Sequence, residues 1–386
     1  MKRKCLILAV ATSFMASTSW ASPETDELRK KIEDQEKQLQ LLKQKLEENE
    51  QKIEATAIQV EDAQQNTQST DTTIGGYGEM HYTPTNDSDS IDFHRFVLFF
   101  GHKFNDKTRF FSELEVEHSI SGDGKPGEVE IEQAFIEYDF SENVTTKMGL
   151  FLLPVGIINE THEPPTFYGV ERNPVEKNII PATWWEGGAG VSFRPSPGWA
   201  IDGAITSGLN VPTSGGSAYK IRSGRQKVGK ASAENFAYTG RIKYTAIAGL
   251  ELAASFQIQD DVTQGAEGVE ASLFTTHLIY QTGNFTVRAL YAGWDLDGAG
   301  AEAIGRDQQE GFYIEPSYKI NNQWGIFARY NEFDNEAGNS LDSNIEQTSF
   351  GVNYWLNEDV VIKIDVDDFG GAATGDGFNL GMGFQF

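Results

Sequence analysis

The last ten residues of the chain, Gly377 to Phe386, alternate between apolar positions and small or polar positions. One face of the corresponding strand carries Phe378, Leu380, Met382, Phe384 and Phe386, and the other carries Asn379, Gly381, Gly383 and Gln385. This pattern fits a barrel strand with lipid on one side and water on the other. It also fits a half-buried edge strand of a soluble sandwich.

The same alternation recurs from about Thr72 to the end of the chain and predicts sixteen strands. The predicted strands are Thr73–Tyr82, Ile91–Phe104, Lys107–Ser119, Val129–Phe140, Val144–Leu153, Gly187–Arg194, Trp199–Ser207, Asn235–Ala246, Leu250–Gln259, Ala271–Gln281, Phe285–Leu296, Gly311–Ile320, Trp324–Asp334, Glu346–Leu356, Val360–Phe369 and Gly377–Phe386. Short turns follow the even strands and longer connections follow the odd ones. This asymmetry favours an all-β, 16-stranded antiparallel transmembrane β-barrel over a sandwich.

Aromatic residues collect near the ends of the strands that meet at the short turns, where a barrel carries its interfacial girdle. The candidates are Tyr138, Phe140, Trp199, Tyr244, Tyr280, Phe285, Tyr318, Trp324, Tyr354 and Trp355. The second strand is apolar on both faces, which a strand between lipid and water should not be. We interpret this as packing at a subunit interface.

The N-terminal part of the chain has a different organisation. Residues 1–21 have the charged start, apolar stretch and small-residue cleavage site of a secretory signal peptide. Residues 22–63 repeat apolar positions every seven residues, which predicts a coiled-coil helix on the periplasmic side, with a solvated single helix as the alternative. Residues 64–71 are a polar linker, and residues 72–386 are the barrel.

The charge balance excludes one class of partner. The chain has 31 Lys and Arg against 57 Asp and Glu, a net charge of −26. Nucleic acid is therefore not an expected partner, since its binding requires a basic surface. The only cysteine, Cys5, lies in the predicted signal peptide, so we expect no disulfide in the mature protein.

With the apolar residues pointing outward, a set of basic residues points into the lumen. The candidate pore-lining residues are Lys147, Arg194, Arg241, Lys243, Arg288, Lys319, Arg329 and Lys363, with Asp365 and Asp367 on the same side. Positive charge in a narrow pore attracts anions. A mixed, solvated lumen that passes small solutes without preference is an equally open alternative.

The connection after the fifth strand, Pro154 to Trp185, is the candidate constriction, because a long connection without strand pattern calls for a function. The charges that it brings are Glu160, Glu163, Glu171, Arg172, Glu176 and Lys177. An exposed loop that shapes only the outer surface is the alternative. A basic cluster in the next long connection (Lys220, Arg222, Arg225, Lys227 and Lys230) indicates anion recruitment, lipopolysaccharide binding or plain surface charge.

Motifs for catalysis are missing from the sequence. It contains no His-Glu-x-x-His, Gly-x-Ser-x-Gly or phosphate-binding loop. The six histidines are scattered, and we expect structural roles for them. We therefore predict neither an enzyme nor a metal or cofactor site.

The strand pattern, the heptads, the stretch "GLFLLPVGIINETHEPPTFYGVERNPVE" and the terminal aromatic together resemble the phosphate-selective porins O and P of Gram-negative outer membranes. The resemblance implies a homotrimer of barrels, each with its third long loop folded into the pore. The expected partners besides a second copy are outer-membrane lipid at the apolar outer face and lipopolysaccharide at the basic cluster. It implies passive diffusion of small hydrophilic solutes, with a preference for anions such as phosphate. The alternatives are a general or cation-preferring porin, and a structural anchor that reaches the cell wall through the coiled coil.

Overall fold

The computed structural model describes residues 71–84 and 89–386, which form sixteen antiparallel strands closed into one barrel. The strands are β1 (Thr72–Thr83), β2 (Ser90–Lys103), β3 (Thr108–Glu117), β4 (Val129–Ser141), β5 (Val144–Leu152), β6 (Trp185–Phe193), β7 (Trp199–Thr206), β8 (Ala237–Tyr244), β9 (Leu250–Gln259), β10 (Glu270–Thr282), β11 (Phe285–Asp297), β12 (Gln308–Lys319), β13 (Trp324–Asp334), β14 (Ile345–Asn357), β15 (Val360–Gly371) and β16 (Gly375–Gln385). All sixteen predicted strands are present, with ends shifted by a few residues. The predicted signal peptide, coiled coil and all but the last residue of the linker lie outside the described residues.

Each strand pairs with its neighbour in the chain, and β1 pairs with β16 to close the sheet. The closing register places Tyr77 opposite Gln385 and Tyr82 opposite Leu380. A barrel of this kind leaves no open edge, so the backbone N–H and C=O groups of every strand have partners without water.

The two ends of the barrel differ in their connections. Residues 104–107, 142–143, 194–198, 245–249, 283–284, 320–323 and 358–359 form the short turns, and we call their side the short-turn end. Seven of the eight connections on the other side, which we call the long-loop end, are longer, as predicted. The connection between β15 and β16, residues 372–374, is the exception and is as short as a turn.

The alternation of buried and exposed residues follows the predicted faces. In β13, Phe327, Arg329 and Asn331 are buried, whereas Trp324 and Ile326 are exposed. The exposed set is apolar and the buried set is partly polar, the reverse of a soluble protein. The buried face is therefore the inside of the barrel, and the apolar face points outward.

The predicted aromatic girdle is largely present. Trp199 packs on Tyr244 and Trp324 packs on Tyr354, with ring centroids 4.7 Å and 4.5 Å apart. The prediction was wrong for Trp355, which is 7% exposed and packs its ring on Tyr168 inside the barrel. Successive residues of a strand point to opposite faces, so Tyr354 and Trp355 cannot both belong to the girdle.

Two short helices interrupt the long connections, α1 (Pro174–Asn178) and α2 (Ala299–Ala303). Asn173 caps α1, because its side chain accepts a hydrogen bond from the backbone N–H of Glu176. Within residues 71–84 and 89–386, no helix is long and apolar enough to cross a membrane.

Candidate functional site

Residues 153–184, which we call loop 3, fold into the barrel and contact most of its inner wall. Arg288 donates to the carbonyl of Thr166 at 3.0 Å, and Trp294 donates to the carbonyl of Ile179 at 2.8 Å. Further anchors come from the inner faces of β9 (Ser255), β13 (Arg329) and β14 (Asn353), all of which donate to carbonyls of loop 3. The structure thus places the loop in the lumen and rules out an exposed loop that shapes only the outer surface.

Two buried polar residues hold loop 3 in its shape. The carboxylate of Glu176 accepts hydrogen bonds from the backbone N–H groups of Ile157 and Ile158, at 2.8 Å and 2.7 Å, and from the hydroxyl of Tyr313 at 2.9 Å. The side chain of Asn159 ties the two ends of the loop together through Leu153 and Trp184. The loop is therefore an internally bonded unit rather than a flexible insertion.

Apolar packing adds to these polar contacts. The hydrophobic cluster of the molecule lies inside the barrel and joins loop 3 to the inner faces of β10–β13 and to the long connection 207–236, which we call loop 4. Loop 3 contributes Leu153, Val155, Ile157, Ile158, Phe167, Val175, Ile179, Ile180 and Trp184. Burial of so many apolar side chains fixes the loop against this part of the wall and narrows the lumen there.

The glycines of β16 make room for loop 3 on the opposite wall. A methyl group at Gly381 would lie 2.8 Å from Val170, and one at Gly383 would lie 2.3 Å from Pro164. Both approaches are closer than real side chains allow, so only glycine fits at these inward positions. The small face of the last strand, visible in the sequence, serves this contact.

The predicted lumen arginines are all paired with acids. Arg241 donates to Asp202 at 2.7 Å and also contacts Glu160 of loop 3. Glu315 pairs with Arg329 at 3.2 Å and with Arg288 at 3.9 Å. Arg194, at the short-turn end, pairs with the same Asp202 at 3.3 Å. The positive charges of these arginines are therefore largely balanced by neighbouring carboxylates.

The predicted lumen lysines divide into two groups. Lys243 lies 4.0 Å from Glu251. The amines of Lys147, Lys319 and Lys363 lie instead over the rings of Phe151, Trp355 and Phe167, at 4.4 Å, 4.6 Å and 3.5 Å from the centroids. In the part of the chain that the structure describes, these three lysines form no ion pair. A ring holds the ammonium without cancelling its charge.

The two predicted lumen aspartates stand together. Asp365 accepts from the backbone N–H of Val170 at 2.5 Å, and Asn379 donates to both Asp365 and Asp367, at 2.8 Å and 2.9 Å. Ser349 also donates to Asp367, at 2.5 Å. Asp365 is thus an anchor of loop 3, and Asp367 belongs to the same hydrogen-bonded group.

The predicted constriction charges do not share one surface. Glu160, Glu163, Glu171, Arg172 and Lys177 keep part of their side chains accessible. Glu176 is 0% exposed, so it is an internal support of the loop and cannot set the charge of an open pore surface. The sequence alone does not indicate whether an acid of this loop supports the fold or lies on the pore surface.

The inner faces of β1, β3 and β4 carry a group of glutamates, which we call the acidic wall and which the sequence analysis did not predict. Glu79, Glu113, Glu115 and Glu132 point inward and are nearly fully buried. Arg95 balances part of this charge, with its guanidinium 2.7 Å from Glu79 and 3.5 Å from Glu115. In β3 the alternation in "SELEVE" was the available signal, because Glu113 and Glu115 share the face opposite Leu114 and Val116.

The two apolar faces of β2 have an explanation within one chain. Val97 is fully buried inside the barrel, and Phe99 packs on Tyr77 and Phe111 with centroids 5.7 Å and 5.6 Å apart. Phe111 continues to Phe135 at 5.7 Å. The inner face of β2 thus belongs to an aromatic ladder in the lumen, and the predicted packing at a subunit interface stays a prediction for its outer face.

The basic cluster of loop 4 lies partly against loop 3. Arg222 and Arg225 donate to the carbonyls of Ala182 and Thr183, at 2.9 Å and 2.6 Å. Lys227 pairs with Glu128 at 2.6 Å. These three side chains support the folded loops. Within the described part of the chain, Lys220 and Lys230 are the members of the cluster whose side chains make no such contact.

Comparison with known proteins agrees with this architecture. Residues 77–368 match the family "Phosphate-selective porin O and P". An uncharacterised protein of Aquifex aeolicus (strain VF5) is 31% identical over 334 residues, which cover 76% of this chain and 74% of that protein.

Solved porin structures share the fold. The anion-selective porin from Comamonas acidovorans superposes with a TM-score of 0.58 at 12% identity, over 82% of this chain and 99% of that one. OmpT of Vibrio cholerae gives a TM-score of 0.56 at 10% identity, over 82% and 97% of the two chains.

These findings define the class of protein as a porin, a channel-forming barrel of the outer membrane. The chain belongs to the phosphate-selective porin O and P family.

Proposed function

We propose that this porin lets small hydrophilic solutes diffuse passively across the outer membrane and prefers small anions such as phosphate. No step of this function requires catalysis. Its support comes from the closed barrel, the folded loop that narrows the lumen, and the family to which the chain belongs.

The observation that carries the anion preference is a pair of lysines over aromatic rings. Lys147 and Lys319 lie over neutral rings and form no ion pair among the described residues, whereas each of the four lumen arginines has an acidic partner. Field lines concentrate in a narrow low-dielectric pore, so a few unbalanced charges there act strongly on a passing ion. The many acids on the outer loops act over only about 8 Å at physiological salt.

The open part of the lumen lies beside Lys147. Phe111, Phe135 and Lys147 point inward and yet keep part of their surface accessible. A cavity of about 380 Å³ at this wall is lined by Phe111 and Phe135 and by both signs of charge, Lys103 and Arg109 with Asp71 and Glu137. Lys147, whose amine lies 5.9 Å from the centroid of the Phe135 ring, is the cation at this wall that has no acidic partner among the described residues.

The test is the reversal potential of single channels in a KCl gradient across planar bilayers. We expect the parent to be anion-selective, and the double variant Lys147→Gln/Lys319→Gln to shift toward cations by roughly an order of magnitude in permeability ratio at low salt. The matched control is Lys125→Gln/Lys230→Gln, which removes two lysines from exposed positions of the long loops and should leave the reversal potential unchanged. Lys363 stays intact because it packs against loop 3.

The acidic wall supports a second candidate, a general or cation-preferring porin. Glu79, Glu113, Glu115 and Glu132 are four inward acids close to one another. A parent channel that is cation-selective, with no response to the lysine variant, would favour this candidate and exclude phosphate as the preferred solute.

The assembly that we propose is a homotrimer. One solved structure of OmpT of Vibrio cholerae is described as a trimer form, and the heptads of residues 22–63 suit a bundle of helices in the periplasm. We keep lipopolysaccharide as a partner through Lys220 and Lys230 of loop 4. Sedimentation of the purified protein with and without residues 22–63 tests the contribution of the helix, which we expect to stabilise the trimer.

A further inference from the structure

Three of the six histidines, far apart in the sequence, meet at one place in the barrel. His81 lies near the end of β1, His94 near the start of β2, and His118 directly after β3. With Asp92 and Glu171 they form a group that we call the histidine cluster. It lies inside the barrel toward the long-loop end, where loop 3 brings Glu171 against the wall.

The potential ligand atoms of the histidine cluster lie close enough together to share one metal ion. The carboxylate of Asp92 lies 3.0 Å from the Nδ1 atom of His94 and 2.8 Å from that of His118. On the other side of His94, the ring of His81 is stacked at a centroid distance of 4.8 Å, and the Nδ1 atom of His81 lies 2.9 Å from Glu171. Two trios, Asp92–His94–His118 and His81–His94–Glu171, each have three ligand atoms within 4.8 Å of one another.

The backbone is shaped to bring these side chains together. Glu79 pairs with Arg95, but the next inward pair is His81 with Asp92, so β2 carries one extra residue at this point. Such a bulge re-aims side chains, and here it places His94 beside His81. His118 has a φ angle of 52°, in the left-handed region, and its backbone N–H bonds to the carbonyl of His94 at 3.0 Å. Unfavourable backbone conformations of this kind persist at functional sites.

The two trios differ in access. The side chains of Asp92, His94 and His118 are 31%, 21% and 32% exposed, so an ion can reach them from the lumen. His81 is only 6% exposed and is already engaged by Glu79 at 3.3 Å and by Glu171. The first trio is therefore the better set of ligands, and His81 and Glu171 lie where they can support His94 or complete the coordination.

We propose that the histidine cluster binds one divalent transition-metal ion, with Asp92, His94 and His118 as its ligands. Two imidazole nitrogens and one carboxylate suit Zn²⁺, Cu²⁺ and Ni²⁺ and are poor ligands for Mg²⁺ or Ca²⁺. The bound ion replaces the contacts that Asp92 now makes with the two rings. It joins the strands β2 and β3 at the mouth of the lumen and adds positive charge beside Glu171 of loop 3.

The experiment is calorimetric titration of the untagged full-length protein in detergent with Zn²⁺, after removal of bound metal with a chelator. We expect one Zn²⁺ per chain. The variants His94→Gln and His118→Gln should each lower the affinity by at least about tenfold, as loss of a ligand requires. The matched control His102→Gln alters a histidine outside the cluster and should bind Zn²⁺ as the parent does.

A spectroscopic readout separates ligand loss from misfolding. Co²⁺ in the parent should give visible absorption bands that depend on its coordination by His94 and His118, and the variants should lose these bands while their barrels stay heat-modifiable on gels. Absence of Zn²⁺ binding by the parent would overturn the proposal. So would binding and cobalt bands that survive in the double variant His94→Gln/His118→Gln.

Discussion

The effect of a charged side chain in this barrel depends on its partner. Arg241 and Arg329 are nearly fully buried and bonded to acids, so they fix walls and loops in place. Lys147 and Lys319 carry the same formal charge but lie over rings. The alternation in the sequence predicts that all four point inward. It does not predict their partners, because these come from other strands and from loop 3.

A single aspartate also organises the connection between β9 and β10. One carboxylate oxygen of Asp261 accepts hydrogen bonds from the backbone N–H groups of Thr263 and Val269, at 2.8 Å and 3.0 Å, and the other accepts from Gly265 at 2.6 Å. Burial alone would raise the pKa of Asp261, but these hydrogen bonds outweigh it and lower the pKa below its usual value.

We predict that Asp261→Asn loosens this connection. The variant loses the charge and one acceptor, so exchange of the Thr263, Gly265 and Val269 amides with deuterium should be about tenfold faster at neutral pH. Because the pKa is lowered in the fold, the stabilisation is present at neutral pH and is lost as the pH falls below about 4. The ratio of exchange rates between variant and parent should therefore approach one in acid. The neighbouring Asp260→Asn is the control, and equal rates for Asp261→Asn and the parent at neutral pH would contradict the prediction.

At the scale of elements, loop 3 lies in the lumen and is the constriction that we propose. The sequence predicts that this segment lacks strand pattern and that its length calls for a function. It does not predict that the loop folds around Glu176, because the donors come from Ile157, Ile158 and Tyr313, which are distant in the chain. The small face of β16 was visible in advance, and the structure gives its reason in the contacts with Val170 and Pro164.

The variant Glu176→Gln should weaken the fold of loop 3. One oxygen of the carboxylate accepts from Ile157 and Ile158 and the other accepts from Tyr313. In glutamine an NH₂ group replaces one of these oxygens, so at least one buried N–H or O–H group loses its acceptor. We expect a loss of about 2 kcal/mol in unfolding free energy, measured by thermal unfolding in detergent, and noisier single-channel currents. The control is Glu163→Gln in the same loop, at a position that is only half-buried. Equal stability of Glu176→Gln and parent would show that the loop does not depend on this carboxylate.

At the scale of the whole molecule, period-two alternation was enough to predict the number of strands and their faces. It succeeded because every second residue of a membrane barrel meets lipid. It was wrong where two aromatics follow each other, as at Trp355. The subunit interface inferred from the two apolar faces of β2 stays a prediction. The histidine cluster was not predicted, because a bulge in β2 and the left-handed backbone of His118 bring its side chains together at the ends of three neighbouring strands.

Phe386 takes part in the closing contact between the first and the last strand. The backbone N–H of Phe386 bonds to the carbonyl of Gly76 at 2.9 Å, and the N–H of Gly76 bonds to the carbonyl of Phe386 at 3.0 Å. Deletion of Phe386 removes both bonds and an aromatic ring that is 62% exposed. We expect a much smaller heat-modifiable fraction in outer-membrane preparations, whereas Phe386→Tyr, which keeps the backbone and an aromatic ring, should fold as the parent does. Normal yield after the deletion would show that the barrel closes without this contact.

The central claim is that this barrel is an open channel, although loop 3 fills part of its lumen. The most direct measurement is the current through the purified full-length protein in planar bilayers, after its folded state has been verified by heat-modifiability. We expect discrete and reproducible conductance steps that grow with the salt concentration and a reversal potential on the anion side. A correctly folded barrel that conducts no ions would contradict the account and favour a structural anchor whose loops close the lumen.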